Sequence, residues 1–98
     1  MTNNQQTYQG LYCITSYVSQ NNNDLLNCYY VERHLPNDTY LLRWIKPPVE
    51  VMADNHNNPE LTTRSVQHTA KQMKLHNYYL TFEAMVHEAS QSHYHPYW

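Results

Sequence analysis

The chain has 98 residues, enough for one domain and too few for two. Hydrophobic residues make up 41% and charged residues only 14%, so a core is within reach while Asn, Gln, Thr and His supply most of the polar surface. A net charge of -2 gives no global attraction to nucleic acid or to an anionic membrane, which argues against a general polyanion binder.

Residues 1–9 are polar and read as a flexible lead-in without the basic and apolar regions of a signal peptide. No run approaches the roughly 18 apolar residues that a membrane span needs. The expectation is therefore a cytoplasmic chain with no membrane partner, whose cysteines, Cys13 and Cys28, stay reduced.

Leu11 to Val18 and Leu25 to Arg33 are rich in β-branched and aromatic residues, as is Thr39 to Lys46; all three read as strands. Gln20 to Asp24 and Leu35 to Asp38 carry turn chemistry, since Asn and Asp tolerate positive φ. Pro47 and Pro48 stop the ladder because neither donates a backbone hydrogen bond. Val49 to Met52 offers a short fourth strand. Five-residue loops at 20–24 and 34–38 predict that Ile14 faces Tyr30, and that Tyr30 in turn faces Leu42. One core face would then carry Tyr12, Ile14, Val18, Leu26, Cys28, Tyr30, Tyr40, Leu42 and Trp44. Cys13 lies on the opposite face from Cys28, so the two cannot form a disulfide. The second face, with Leu11, Cys13, Thr15, Asn27, Tyr29, Val31 and Ile45 among its residues, is too apolar for a solvated sheet face.

Asn58, Pro59 and Glu60 resemble a helix start: an N-cap, a proline at the first helical position, and an acid near the positive dipole end. Neither Gly nor Pro follows until after Ser92. Val66, Ala70 and Met73 share one helical stripe, and Tyr78, Phe82, Met85, Val86 and Ala89 form another. These stripes predict two helices, about 59–76 and 78–92, or one bent helix. The expected fold is thus α+β: a three-stranded antiparallel β-meander over 11–46, helices packed on it over 59–92, and an aromatic tail at 93–98.

Chemical candidates are sparse. Glu83, His87 and Gln91 could share a helix face, with His93 and His95 nearby. Gln91, however, stands where the zinc-protease motif H-E-x-x-H needs its second histidine. No metal site, cofactor or catalytic residue is expected. Cys13 and Cys28 lie within strands with no base beside them in sequence, and Gly10 is the only glycine, so no phosphate-cradling loop exists.

Ten tyrosines and two tryptophans are the strongest compositional signal, because these side chains combine rigid contact area with a polar tip. They point to a small non-enzymatic protein-binding module that docks on a partner protein or on a second copy of itself. The expected contacts are Tyr17, Tyr29, Val31, Leu41, Arg43 and Ile45 from the second sheet face, with Tyr97 and Trp98 from the tail. Small, Asn-rich, motif-free chains are common among phage and mobile-element products. The expectation therefore extends to an inhibitor of a host defence protein such as a CRISPR effector. The alternative is nucleic-acid binding. Arg64, His68 and Lys71 fall on one face of the expected first helix, Lys74 follows, and neighbouring tyrosines could stack on bases.

Overall fold

A computed structural model describes residues 7–15, 27–46, 51 and 58–91. Among the described residues the fold is α+β, with one five-stranded antiparallel sheet and two helices toward the C-terminus. The strands are β1 (Tyr12–Ile14), β2 (Cys28–His34), β3 (Thr39–Ile45), β4 (Leu61–Thr69) and β5 (Asn77–Tyr79). The helices are α1 (Ala70–Met73), between β4 and β5, and α2 (Phe82–Gln91). Strand order across the sheet is β4-β3-β2-β1-β5, so β4 and β5 are its two edges.

The first three strands form where β-branched and aromatic residues concentrate. The β2–β3 hairpin closes through Leu35 to Asp38. Asp38 takes a positive φ of 63°, and the Leu35 amide donates to the Thr39 carbonyl at 2.8 Å. Tyr12 pairs with Tyr30, and Ile14 with Cys28. This is two residues from the expected register and preserves the expected faces of β1 and β2. The loop at 20–24 lies outside the described residues, as do Val18 and Leu26.

The β3 face is a correction. Cys28 pairs with Ile45, Tyr29 with Trp44 and Val31 with Leu42, and a bulge at Glu32 shifts the register before Arg33 meets Leu41. An odd shift turns a whole strand over, because side chains alternate with period two. Tyr40, Leu42 and Trp44 therefore join Cys13, Tyr29 and Val31, while Ile45 joins Ile14 and Cys28. The single core face predicted from sequence is in fact divided between two buried clusters, one on each side of the sheet.

The first predicted helix is also corrected. Residues 61–69 form β4, antiparallel to β3, and Asn58, Pro59 and Glu60 lead into that strand rather than capping a helix. Glu60 instead pairs with Lys46 at 2.9 Å. The segment Leu-Thr-Thr-Arg-Ser-Val is poor in helix formers, since Thr and Val lose side-chain freedom in a helix, and the exposed edge of β3 supplies hydrogen-bond partners. Helix α1 begins only at Ala70. Thr69 caps it: its hydroxyl accepts from the Gln72 amide at 3.2 Å, and the Gln72 side chain accepts from the Thr69 amide at 2.8 Å.

Arg43 ties two irregularities together. Three residues of β4, Thr62 to Arg64, stand opposite Trp44 alone. Arg43 donates to the Thr62 carbonyl at 3.1 Å and pairs with Glu32, the bulge residue of β2, at 3.0 Å. A half-buried guanidinium thus holds both bulged strands to β3.

Beneath α2, Ile14, Cys28, Ile45, Val51, Phe82, Met85 and Ala89 form one buried cluster. Phe82, Met85, Val86 and Ala89 fall on one face at helical spacing, as their stripe predicts. Tyr78, assigned to that stripe from sequence, instead lies on β5 against the opposite cluster. The Thr81 hydroxyl accepts from the Ala84 amide at 3.1 Å, satisfying one of the free donors at the start of α2.

Candidate functional site

Residues 70–76 cross one face of the sheet, from the β4 edge to the β5 edge. They cover the cluster of Cys13, Tyr29, Val31, Tyr40, Leu42 and Met73. The second sheet face, too apolar in sequence for a solvated one, is therefore covered by the chain itself. A crossover with one helical turn does not fill the space it spans. A cavity of about 320 Å³ lies there, lined by Thr15, Asn27, Tyr29, His68, Gln72, Leu75 and His76.

Each wall has a local cause. Thr15 follows β1, and its amide donates to the Asn27 carbonyl at 3.0 Å, which brings both residues to the same end of the β1–β2 pair. Tyr29 rises from the middle of the sheet. His68 is near the end of β4, and the capping box of Thr69 and Gln72 turns the chain sharply after it. Bonds from the Leu75 amide to the Gln72 carbonyl (3.0 Å) and from the His76 amide to the Met73 carbonyl (3.3 Å) close the turn after α1. His76 then meets His68, with Nε2 of His76 2.9 Å from Nδ1 of His68. Tyr29 packs edge-on to the His68 ring at 5.7 Å between centroids. Tyr78 anchors the far side, its hydroxyl donating to the Met73 carbonyl.

The described wall residues are uncharged at neutral pH, while Arg64, off the wall, acts on Tyr29 and opposes the rise of its hydroxyl. Burial and the neighbouring His68 push His76 down to about 4, and burial also lowers His68, so both rings are uncharged at neutral pH. Burial raises the Tyr29 and Tyr78 hydroxyls, keeping them protonated. A bond between two neutral imidazoles gives one ring the donor role and the other the acceptor role. The proton's position thereby sets whether Nδ1 of His76 donates or accepts. That nitrogen is buried and has no hydrogen-bond partner, and the same holds for Oγ1 of Thr15. Leu75, on the cavity wall, is 69% exposed, and Leu80, just past β5, is 82% exposed.

Of the contacts expected from sequence, Tyr29, Val31 and Ile45 are buried, with Val31 and Ile45 on opposite sides of the sheet. Leu41 and Arg43 are half-buried on β3. They form no common exposed surface. Tyr17, Tyr97 and Trp98 lie outside the described residues. The cationic stripe is dispersed as well. Arg64 stands on β4 with its guanidinium 4.6 Å from the Trp44 ring centre, His68 faces the cavity, and Lys71 and Lys74 are exposed in and after α1. Glu83 and His87 are exposed on α2, while the Gln91 side chain, His93 and His95 lie outside the described residues. Cys13 and Cys28 are buried on opposite faces, and burial raises each thiol to about 12, so neither supplies a thiolate at neutral pH.

Sequence reasoning passed over Gln72, Leu75 and His76 as site residues. A usable signal was present: Thr69-x-x-Gln72 is a capping-box pattern, which places a helix start after His68 rather than before it. Among the described residues no group of three His, Cys, Asp or Glu is placed to hold a metal ion, and no helix is long and apolar enough to cross a membrane. Compared with family models, curated proteins and solved structures, the chain matches none.

Proposed function

We propose that the protein is a non-enzymatic protein-binding module whose contact surface is the crossover at 70–76 and the adjoining β5 edge, rather than the β1–β3 face expected from sequence. The observation that carries this reading is the pair of exposed leucines, Leu75 and Leu80, one on each side of an edge strand and one of them on the wall of the cavity. Single exposed apolar residues are ordinary, but a leucine on the wall of a cavity, with a second exposed at the other end of the same edge strand, has the form of an interface anchor and an outlying contact. The chemistry of the site supports binding over catalysis: burial holds both histidines neutral, with His68 adding to the effect at His76, and the buried thiols are held protonated.

Parallel affinity capture with the native chain and with Leu75→Asp and Leu80→Asp tests the reading, followed by titration calorimetry on the purified partner. Both substitutions are at exposed positions and are expected to leave the fold intact. Leu75→Asp is expected to weaken the partner's binding by about tenfold or more, with little dependence on salt. Unchanged binding in both variants counts against the surface. Affinity for nucleic acid that falls steeply between about 50 and 200 mM salt would favour Arg64, Lys71 and Lys74 instead.

A further inference from the structure

The chemistry of the cavity narrows what such a partner presents, on the reading that the crossover is the docking surface. We propose that the cavity receives an uncharged aromatic ring bearing one hydrogen-bonding group, of the tyrosine or tryptophan kind, from the partner protein. Its volume of about 320 Å³ suits one ring-bearing side chain. It lies at the small end of ligand cavities, which run from roughly 300 to 1,000 Å³.

Charge excludes the ionic side chains. No described wall residue is charged at neutral pH, so an entering ammonium or guanidinium would lose water without gaining a counter-charge. The cation that acts on Tyr29, Arg64, stands off the wall over the Trp44 ring, so a carboxylate in the cavity would lack a direct ion pair. A wholly apolar ring is also a poor match, because two wall atoms have unused hydrogen-bonding capacity. Thr15 is only 7% exposed, and its hydroxyl has no partner. Nδ1 of His76 is likewise buried and unpaired. A phenol or an indole N–H can engage either atom once a rotation of the Thr15 or His76 side chain brings it to the cavity, and the His68–His76 pair can shift its proton to meet a donor or an acceptor. Tyr29 and His68, packed edge-on, present ring surfaces against which a third ring can stack or pack edgewise. Leu75 extends the apolar wall to the exterior.

The test needs no identified partner. The full chain is titrated with 4-methylphenol, 3-methylindole, toluene, 4-methylbenzoate and benzylammonium, while the resonances of Thr15, His68 and His76 are followed by NMR. Saturable shifts at these residues are expected for the phenol and the indole. Toluene is expected to bind several-fold more weakly, and the two ions not to saturate. Thr15→Val removes an unpaired hydroxyl, so it should fold at least as well as the native chain. It should weaken 4-methylphenol by about fivefold to tenfold and leave toluene unchanged. Equal binding of toluene and 4-methylphenol, binding of the ions, or no shifts at these residues would overturn the assignment. If Leu75→Asp loses the partner while no ring compound binds, the docking surface stands and this inference fails. If 4-methylphenol binds while partner affinity survives both leucine substitutions, the docking reading fails and the ring does not come from that partner.

Discussion

The two faces of the sheet are built on the same strands yet close differently. Under α2, Ile14, Cys28 and Ile45 meet Phe82, Met85 and Ala89 from a ten-residue helix whose apolar stripe is continuous. Under the crossover, the lid is a four-residue helix and a turn, and the buried cluster is bordered by rings with polar atoms. A chain of ring contacts runs there from His34 through Tyr40, Tyr8, Tyr78, His76 and His68 to Tyr29. A long amphipathic helix fills its groove with side chains at 3.6-residue spacing, whereas one turn contributes a single buried methionine, Met73, and leaves space beside it. One face is closed by a long amphipathic helix, and the other keeps a cavity beside Met73 and two buried polar atoms without partners.

This contrast can be broken by experiment, beginning with the largest effect. Met85→Ala empties a fully buried position under α2 and is expected to cost about 2–5 kcal/mol in denaturant unfolding. The loss should not be restored by ring compounds at the other face. A marginal change would mean that α2 is not the principal clamp.

Acid should act on the opposite face. The folded-state values of His76, about 4, and of His68 lie below the ordinary histidine value of 6.5, so the unfolded chain takes up these protons first. Their contribution to stability is complete above about pH 6.5 and declines as the pH falls toward 4. Thermal unfolding at intervals across that window should show a shallower decline in His76→Gln than in the native chain. Identical slopes would show that the His68–His76 contact is not proton-linked.

The smallest effect concerns the lid alone. Thr69→Ala removes the capping hydroxyl of α1 and is expected to cost about 1 kcal/mol. Hydrogen exchange should quicken at Gln72 to His76 and remain unchanged along α2. Equal acceleration on both faces would mean that the crossover and α2 open together.

Much of the local structure was legible in the chain. Strands over β2 and β3, the turn at Leu35 to Asp38, the stripe of α2 and the separation of Cys13 from Cys28 follow from residue type and spacing. The cavity was less legible because it depends on register. A bulge at Glu32 turns Tyr40, Leu42 and Trp44 toward Tyr29, and no repeating pattern marks a single inserted residue. Residues 61–69 carried weak and conflicting signals: apolar spacing that suits a helix, and Thr and Val that suit a strand. Hydrogen bonding to β3 decided between them.

By itself, then, the sequence determined a sparsely charged, aromatic, glycine-poor chain with a central hairpin and an amphipathic C-terminal helix, because these depend on contacts between near neighbours. Tertiary structure alone decided which face each residue of β3 occupies, that 61–69 extends the sheet, and that His68 and His76 meet above Tyr29. Those outcomes depend on pairing between distant segments, where a one-residue shift reverses a strand and a single capped turn redirects the chain across the sheet.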